Sequence, residues 1–297
     1  VNNIKVLHYD AFSPYPNKGN PAGVVLEADH LSESDMQSIA HKVGFNETVF
    51  VVSSEIADLR LKYFTPGHEI NLCGHATMAS LFALKTKGIL GEASSVKIET
   101  NVGVLPIQFS MDNNNHLLIK MKQDQPKFIE FNGDRAKLAH AIGLTLDEIE
   151  EDLPIVYSCT GAWTLLVPIK RIDSFNKMKP INSLFPEILT QLPKASVHPF
   201  SLQTLDPHAL MHARHFSSPY SGTVEDPVTG TASGVMGAYY LKYIDPHLDS
   251  IQFVVEQGQE IGRDGKVNVE VYRLDSDRMD VFISGTAVFV GEVDLWR

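Results

Sequence analysis

Two cysteines, Cys73 and Cys159, give no disulfide framework and no CxxC metal or redox pair. A reducing cytoplasm is the compartment this favours. No apolar run approaches the roughly 18 residues of a membrane span, and the N-terminal VNNIKVLHYDAF alternates like a strand, without the apolar core of a signal peptide. The chain starts at Val1 without Met, which leaves a removed leader open. Lysine and arginine are outnumbered by aspartate and glutamate, 25 to 36, so the formal net charge of −11 argues against nucleic acid or an anionic membrane as the main partner. GxGxxG and GxxxxGK[ST] are missing, which disfavours a nucleotide-binding α/β fold. The 12 histidines include no HExxH or closely paired set, so no metal site is expected. Ser233 lies in GTASG, not in a GxSxG elbow, and DSDRMD lacks the glycine and terminal glutamate of a calcium loop. What is present is a globular composition, 43% hydrophobic and 21% charged, able to bury a sizeable core. The length of 297 residues suits about two domains of ~100–200 residues each.

The chain is organised around His215 to Leu241, HFSSPYSGTVEDPVTGTASGVMGAYYL. A polar loop ends at Gly230, after which Val235, Met236, Ala238, Tyr239 and Leu241 follow with helical spacing. The first N–H groups of a helix lack partners within it, and its dipole adds partial positive charge there, so a start between Gly230 and Ala232 can seat a carboxylate or an oxyanion. Glu225 and Asp226 stand just upstream. On this stretch alone, an ordinary capped helix with acids in solvent explains as much. A second copy changes the balance: Tyr63 to Gly88, YFTPGHEINLCGHATMASLFALKTKG, has the same plan, with Gly74 in the place of Gly230 and His75 in that of Thr231. Gly230 stands 156 residues after Gly74, and Val255 of VEQ stands 157 after Ile98 of IET, which points to an internal duplication. Duplicates about a pseudo-two-fold would bring the two helix starts to one cleft, with a small anionic substrate between them.

Strands are expected at Ile4 to Phe12 and Val24 to Leu26, joined by the turn-rich PYPNKGNPAG. A helix follows from Leu31 to Gly44, with Ser32 as N-cap and Gly44 as stop. Glu47 then stands at the mouth of a β-branched and aromatic strand; a lone glutamate there is more often solvated than aimed into a site. Leu59 to Thr65 alternates as a half-buried antiparallel strand, and the helix from Gly74 to Lys87 is apolar on nearly all sides, hence buried. Strands at 96–100, 104–109 and 117–121 close the first domain, with Gln123 to Pro126 as linker. The second opens with a helix at 134–143 and a Thr145, Glu148 capping pair, then has strands near 155–158, 163–169, 195–202, 210–216, 251–256, 267–273 and 279–284. Residues 171–194 are the least legible, a mixture of helices and loops. The expected architecture is α+β: two pseudo-symmetric domains, 1–122 and 123–284, each a mostly antiparallel sheet rolled around a central buried helix, with 285–297 returning to the first.

With NPAGVV, GFNETVF, CGHATMAS and EDPVTGTASG in this order, the chain resembles the phenazine-biosynthesis PhzF-like isomerase family over essentially its whole length. The resemblance implies the diaminopimelate epimerase-like fold, an active site in the cleft and a homodimer. It implies that Glu47 of NET is the general base, with His75 of GHAT and Asp226 of EDP as catalytic partners. Asn20 of NPAGVV, Gly74, Gly230 and Thr231 become the substrate contacts; Thr231 keeps a hydroxyl where the best studied member has serine. That member isomerises a dihydro-hydroxyanthranilate by moving a proton between carbons, without any cofactor. Phenazine synthesis itself is not implied, because motif residues define proton chemistry while pocket walls choose the substrate.

The chemistry suits these residues. Taking a proton from carbon needs a base poised near neutral pH, for which a site beside Phe45 and Phe50 is suited. Facing helix starts and His75 would hold the developing charge. Asp226 could bind a substrate amine or orient His75. The related two-thiol epimerases place a cysteine directly before each helix-opening glycine; here Cys73 holds the first position and Thr229 the second, and a threonine hydroxyl is too weak an acid to serve as the second base. Cys73 is then a buried structural residue or a reactive thiol, and Cys159 a core residue. The expected activity is a cofactor-independent isomerase or epimerase acting on a small carboxylated metabolite. Its rival is a catalytically silent binding or sensing protein on the same fold, and the intact Glu47, His75, Asp226 and Thr231 favour the enzyme.

Overall fold

The computed structural model of the chain describes residues 3–296. Val1, Asn2 and Arg297, which the expected first domain included, lie outside the described residues. The chain divides into two compact units, one running to Lys122 and resuming at Ser284, the other Gln123–Ile283. No helix among the described residues is long and apolar enough to cross a membrane.

The first unit contains β1 (Asn3–Ala11), β2 (Asn20–Val25), α1 (Glu33–Val43), β3 (Thr48–Val52), β4 (Leu59–Phe64), β5 (Glu69–Ile70), α2 (Gly74–Thr86), β6 (Ser95–Thr100), β7 (Gly103–Met111) and β8 (Leu117–Lys122). β1 and β2 pair antiparallel, β2 and β3 parallel, β3 and β4 antiparallel, β4 and β6 parallel, and β6, β7 and β8 antiparallel in turn. The alternation of Leu59 to Thr65 shows which face of β4 is buried; it does not show that one neighbour, β6, runs parallel. At the start of α1, Ser32 and Asp35 form a reciprocal capping box, and Gly44 at φ 74° ends the helix. Met36, Ile39 and Ala40 on its inner face pack with Phe50 and Phe64. α2 differs: Ala76, Met78, Ala79, Leu81, Ala83 and Leu84 are buried around its whole circumference, and it lies against β1, β2, β3 and β8. Thr77 in its first turn donates to the Cys73 carbonyl at 2.7 Å and meets the Tyr63 hydroxyl at 2.6 Å, which ties the helix start to β4.

The second unit contains β9 (Lys127–Glu130), α3 (Arg135–Ala141), β10 (Val156–Cys159), β11 (Trp163–Pro168), α4 (Phe185–Ile188), β12 (Ser196–Ser201), β13 (Met211–Ala213), α5 (Gly230–Tyr239), β14 (Ser250–Gln257), β15 (Gly265–Arg273) and most of β16 (Met279–Gly285), whose Ser284 and Gly285 fall in the first unit. β17 (Ala287–Trp296) runs antiparallel to β1 in the first unit. The order of pairings repeats: β10 and β11 antiparallel, β11 and β12 parallel, β12 and β13 antiparallel, β13 and β14 parallel, β14 and β15 antiparallel. α5 interrupts this series between β13 and β14, just as α2 does between β4 and β6. The duplicated motif therefore extends to duplicated topology. Strand 195–202 narrows to Ser196–Ser201, and 210–216 to Met211–Ala213 with isolated bridges at Phe216. Residues 171–194 form short 3₁₀ turns and α4, and their Phe175, Met178, Phe185, Ile188 and Leu189 fill the core beneath β10 to β12.

α5 lies close on its sheet because it carries glycine. A Cβ on Gly237 would stand 2.5 Å from Val271 Cγ2 and 2.7 Å from Val269 Cγ1, both on β15. Gly237→Ala is expected to destabilise the protein by about 1–3 kcal/mol through this overpacking, measurable by urea denaturation.

A buried charge cluster braces the same unit. His212 Nδ1 lies 2.8 Å from Glu256 Oε1 and its Nε2 2.7 Å from Glu260 Oε1, while Glu256 also accepts the amides of Leu205 and Asp206. Burial alone would lower the His212 pKa, but the bonds to both carboxylates outweigh it and raise it above 6.5. Burial would raise Glu256, yet His212 and the two amides hold it below 4.5. The His212 contribution to stability is complete below its unfolded value of 6.5 and is lost as pH rises through the raised folded value; that of Glu256 is complete above 4.5 and is lost as pH falls through its lowered one. His212→Ala is expected to cost roughly 3–5 kcal/mol between those two values, because it removes the cation between two buried carboxylates. The gap to wild type should narrow above that window, as denaturation at several pH values would show.

Candidate active site

In the first unit, Glu47 meets Cys73 and His75, some way along the sequence, at the start of α2. Glu47 is held just before β3, where its carbonyl accepts the Gly23 amide at 3.1 Å. The lone-residue expectation of a solvated carboxylate fails here: the Glu47 side chain is only 20% exposed, and its Oε2 lies 3.1 Å from His75 Nε2. Cys73 completes the group, its Sγ 3.3 Å from His75 Nδ1 and 3.9 Å from Nε2. Burial would lower the His75 pKa, but its contacts with Cys73 and Glu47 outweigh it and push it well above 6.5. Burial pushes the Cys73 thiol up, against the opposing charge of His75.

Helix geometry leaves the site polar. Cys73, the N-cap of α2, is extended at φ −139° and ψ 117°, and its side chain does not cap the helix. A Cβ on Gly74 would meet no atom within 4 Å, so the approach to the first turn is open there. The first-turn amides can therefore receive an anion. Asn20 is fully buried at the start of β2, opposite Ala11. Asp10, also fully buried, lies 3.0 Å from His8 Nε2 and accepts the Asn17 amide at 2.7 Å, fastening the loop before Asn20.

In the second unit, Thr229 is the extended N-cap of α5, and its side chain likewise leaves the helix uncapped. Its hydroxyl instead donates to Asp226 Oδ2 at 2.6 Å, and Gln257 clamps the loop by donating to the Asp226 carbonyl at 2.9 Å and accepting the Thr229 amide at 3.1 Å. Gly230 opens the helix, and the Thr231 carbonyl accepts the Thr160 hydroxyl at 3.0 Å. Glu225 separates from this group. Both its oxygens bind the buried Arg214, at 2.8 and 2.7 Å, so its work is structural. Behind the loop, His198 and His215 face each other through their Nδ1 atoms at 3.0 Å; burial lowers both, and the charge of Asp226 partly offsets this at His215.

The sequence-predicted residues thus fall into two groups, Glu47 with His75 at one helix start and Asp226 with Gly230 and Thr231 at the other. Cys73 joins the first, which its position before Gly74 left open. The His198–His215 pair had no motif to mark it. A surface depression of about 380 Å³ lined in part by Lys5, Leu26, His30 and Ile89 contains none of these groups.

Comparison with known proteins gives this arrangement a family. The profile described as "Phenazine biosynthesis-like protein" (PhzC-PhzF) matches residues 9–293. The chain belongs to this family. It is 53% identical over 285 residues to the "Uncharacterized isomerase YfhB" of Bacillus subtilis (strain 168), covering 96% of each chain. It is 25% identical over 288 residues to the trans-2,3-dihydro-3-hydroxyanthranilate isomerase of Pseudomonas chlororaphis, covering 96% of this chain and 97% of that one. The crystal structure of a PhzF-family phenazine biosynthesis protein of Bacillus anthracis is similar over 100% of both chains, at a TM-score of 0.98 and 52% identity. A hydroxyproline epimerase from Agrobacterium vitis, at 11% identity and TM-score 0.64 over 99% of this chain and 91% of that one, shares the fold alone. The chain is accordingly an isomerase with the epimerase-like α+β fold.

The electrostatics of the first group can be tested directly. Glu47→Gln is expected to lower the His75 pKa by removing a charge that raises it. Ring ¹⁵N chemical shifts followed across a pH titration of both proteins would check this.

Proposed function

We propose that this isomerase moves a proton between carbons of a small carboxylate-bearing metabolite, with Glu47 as the general base and without a cofactor. The observation that carries this reading is the Glu47 carboxylate beside His75 at the open first turn of α2. Glu47 takes a proton from a substrate carbon, and the electron pair left behind shifts into the conjugated system. Protonated Glu47 then returns the proton to another carbon, so the net change is a displaced double bond. The first-turn amides of α2 and the His75 N–H groups favour the step by meeting negative charge where it develops.

A carboxylate on the substrate accords with two uncapped helix starts and with the dihydro-hydroxyanthranilate named for the Pseudomonas chlororaphis relative. Asp226, Gly230, Thr231 and Asn20 enter as partners through the family resemblance, with Asp226 receiving a substrate amine or orienting His75. A homodimer in the cytoplasm, serving a biosynthetic route, belongs to the same reading.

Heavy-water incubation with a pool of small cyclic and amino carboxylates, read by mass spectrometry, tests the base. Wild type is expected to place deuterium on one pool member, and Glu47→Gln to reduce the rate by roughly 10²–10⁴-fold while its melting curve is retained. Undiminished exchange in the variant would remove Glu47 as base. A pool member retained without any exchange would favour the silent binding protein instead.

A further inference from the structure

Glu47, Cys73 and His75 each offer one ligand atom, a carboxylate oxygen, a thiol sulfur and an imidazole nitrogen, and all three lie within 4.8 Å of one another. With His75 Nε2 as the common corner, Glu47 Oε2 stands 3.1 Å away and Cys73 Sγ 3.9 Å away. Ligands around a tetrahedral zinc at ordinary bond lengths stand about 3.3–3.8 Å apart, so the cluster is close to a coordination sphere already. Glu47 Oε2 is buried, and although His75 Nε2 is near, no hydrogen-bond donor among the described residues is aligned with it. That oxygen thus keeps a lone pair for a ligand. Cys73 and His75 are placed by the N-cap and first turn of α2, and Glu47 by the Gly23 amide, so the three are held before any ligand arrives.

We propose that this cluster is a binding site for a thiophilic divalent cation, Zn²⁺ above all, and that metal binding and proton transfer by Glu47 exclude one another. The donor set selects the metal. A sulfur and an imidazole suit zinc and disfavour magnesium or calcium, and three protein ligands leave the fourth position for water. Binding forms Zn–S, Zn–N and Zn–O bonds and releases to solvent the thiol proton and any second ring proton on His75. The cation then occupies the Glu47 lone pair that would otherwise take the carbon-bound proton. The inhibitory consequence rests on the proposed role of Glu47, whereas the binding does not.

Metal-free, reduced full-length protein would be titrated with Zn²⁺ against a chromophoric chelator, and with Co²⁺ to read the absorption of a thiolate–cobalt bond. One equivalent per chain is expected, with the cobalt–thiolate band. Cys73→Ser should remove the band and weaken Zn²⁺ binding by more than the roughly 10–100-fold that loss of an outer-sphere partner costs. His75→Ala should do likewise, and Cys159→Ser should change neither. No stoichiometric binding, or binding and band retained in Cys73→Ser, would overturn the site. Heavy-water exchange by wild type should stop at one equivalent of Zn²⁺ and return on adding a chelator; exchange continuing at full occupancy would overturn the exclusion while leaving the site. Exchange persisting in metal-free Glu47→Gln would instead mark failure of the base assignment.

Discussion

A helix buried on every side has no solvent-facing stripe, so its polar demands concentrate at its ends. α2 and α5 are such helices, surrounded by β-branched and aromatic side chains of their sheets. Their first-turn amides cannot be satisfied from within, and in both the N-cap side chain is turned to another use. This one constraint leaves a polar opening at each helix start. Glu47, His75 and Cys73 collect at one start, and Asp226 and Thr229 at the other.

Carboxylate–base pairs occur elsewhere in the chain with different consequences. Glu225 is gripped through both oxygens by Arg214, and Glu256 is saturated by His212 and two amides. With their lone pairs engaged, these acids brace loops and strands. Glu47 has a partner in His75 but an oxygen with no aligned donor, and that remaining capacity is what a substrate proton or a metal ion requires. Glu47 thus differs from Glu225 and Glu256 in hydrogen-bond saturation.

Much of the architecture can be followed from local patterns. Ser32 and Asp35 cap α1, Gly44 ends it, and the uniformly apolar run after Gly74 marks a buried helix, because each signal acts within a turn or two of the backbone. Residues 171–194 resist such treatment. Their core side chains, Phe175, Met178, Phe185 and Ile188, are distributed over short 3₁₀ turns and a single α turn, so no one period runs through them. The parallel register of β4 with β6 is likewise invisible locally, since alternation reports a face and not a neighbour.

The sequence by itself determined the duplicated helix starts, the family and the residues that carry its motifs, because these are properties of order and spacing along the chain. Only the tertiary structure decided that Glu47 meets His75, that Cys73 meets the same ring, and that Glu225 belongs to Arg214 and not to the loop chemistry beside it. The reason is that charge, proton affinity and hydrogen bonding act through a few ångströms of space with a strength set by burial. Neither quantity is written in the spacing of residues along the chain.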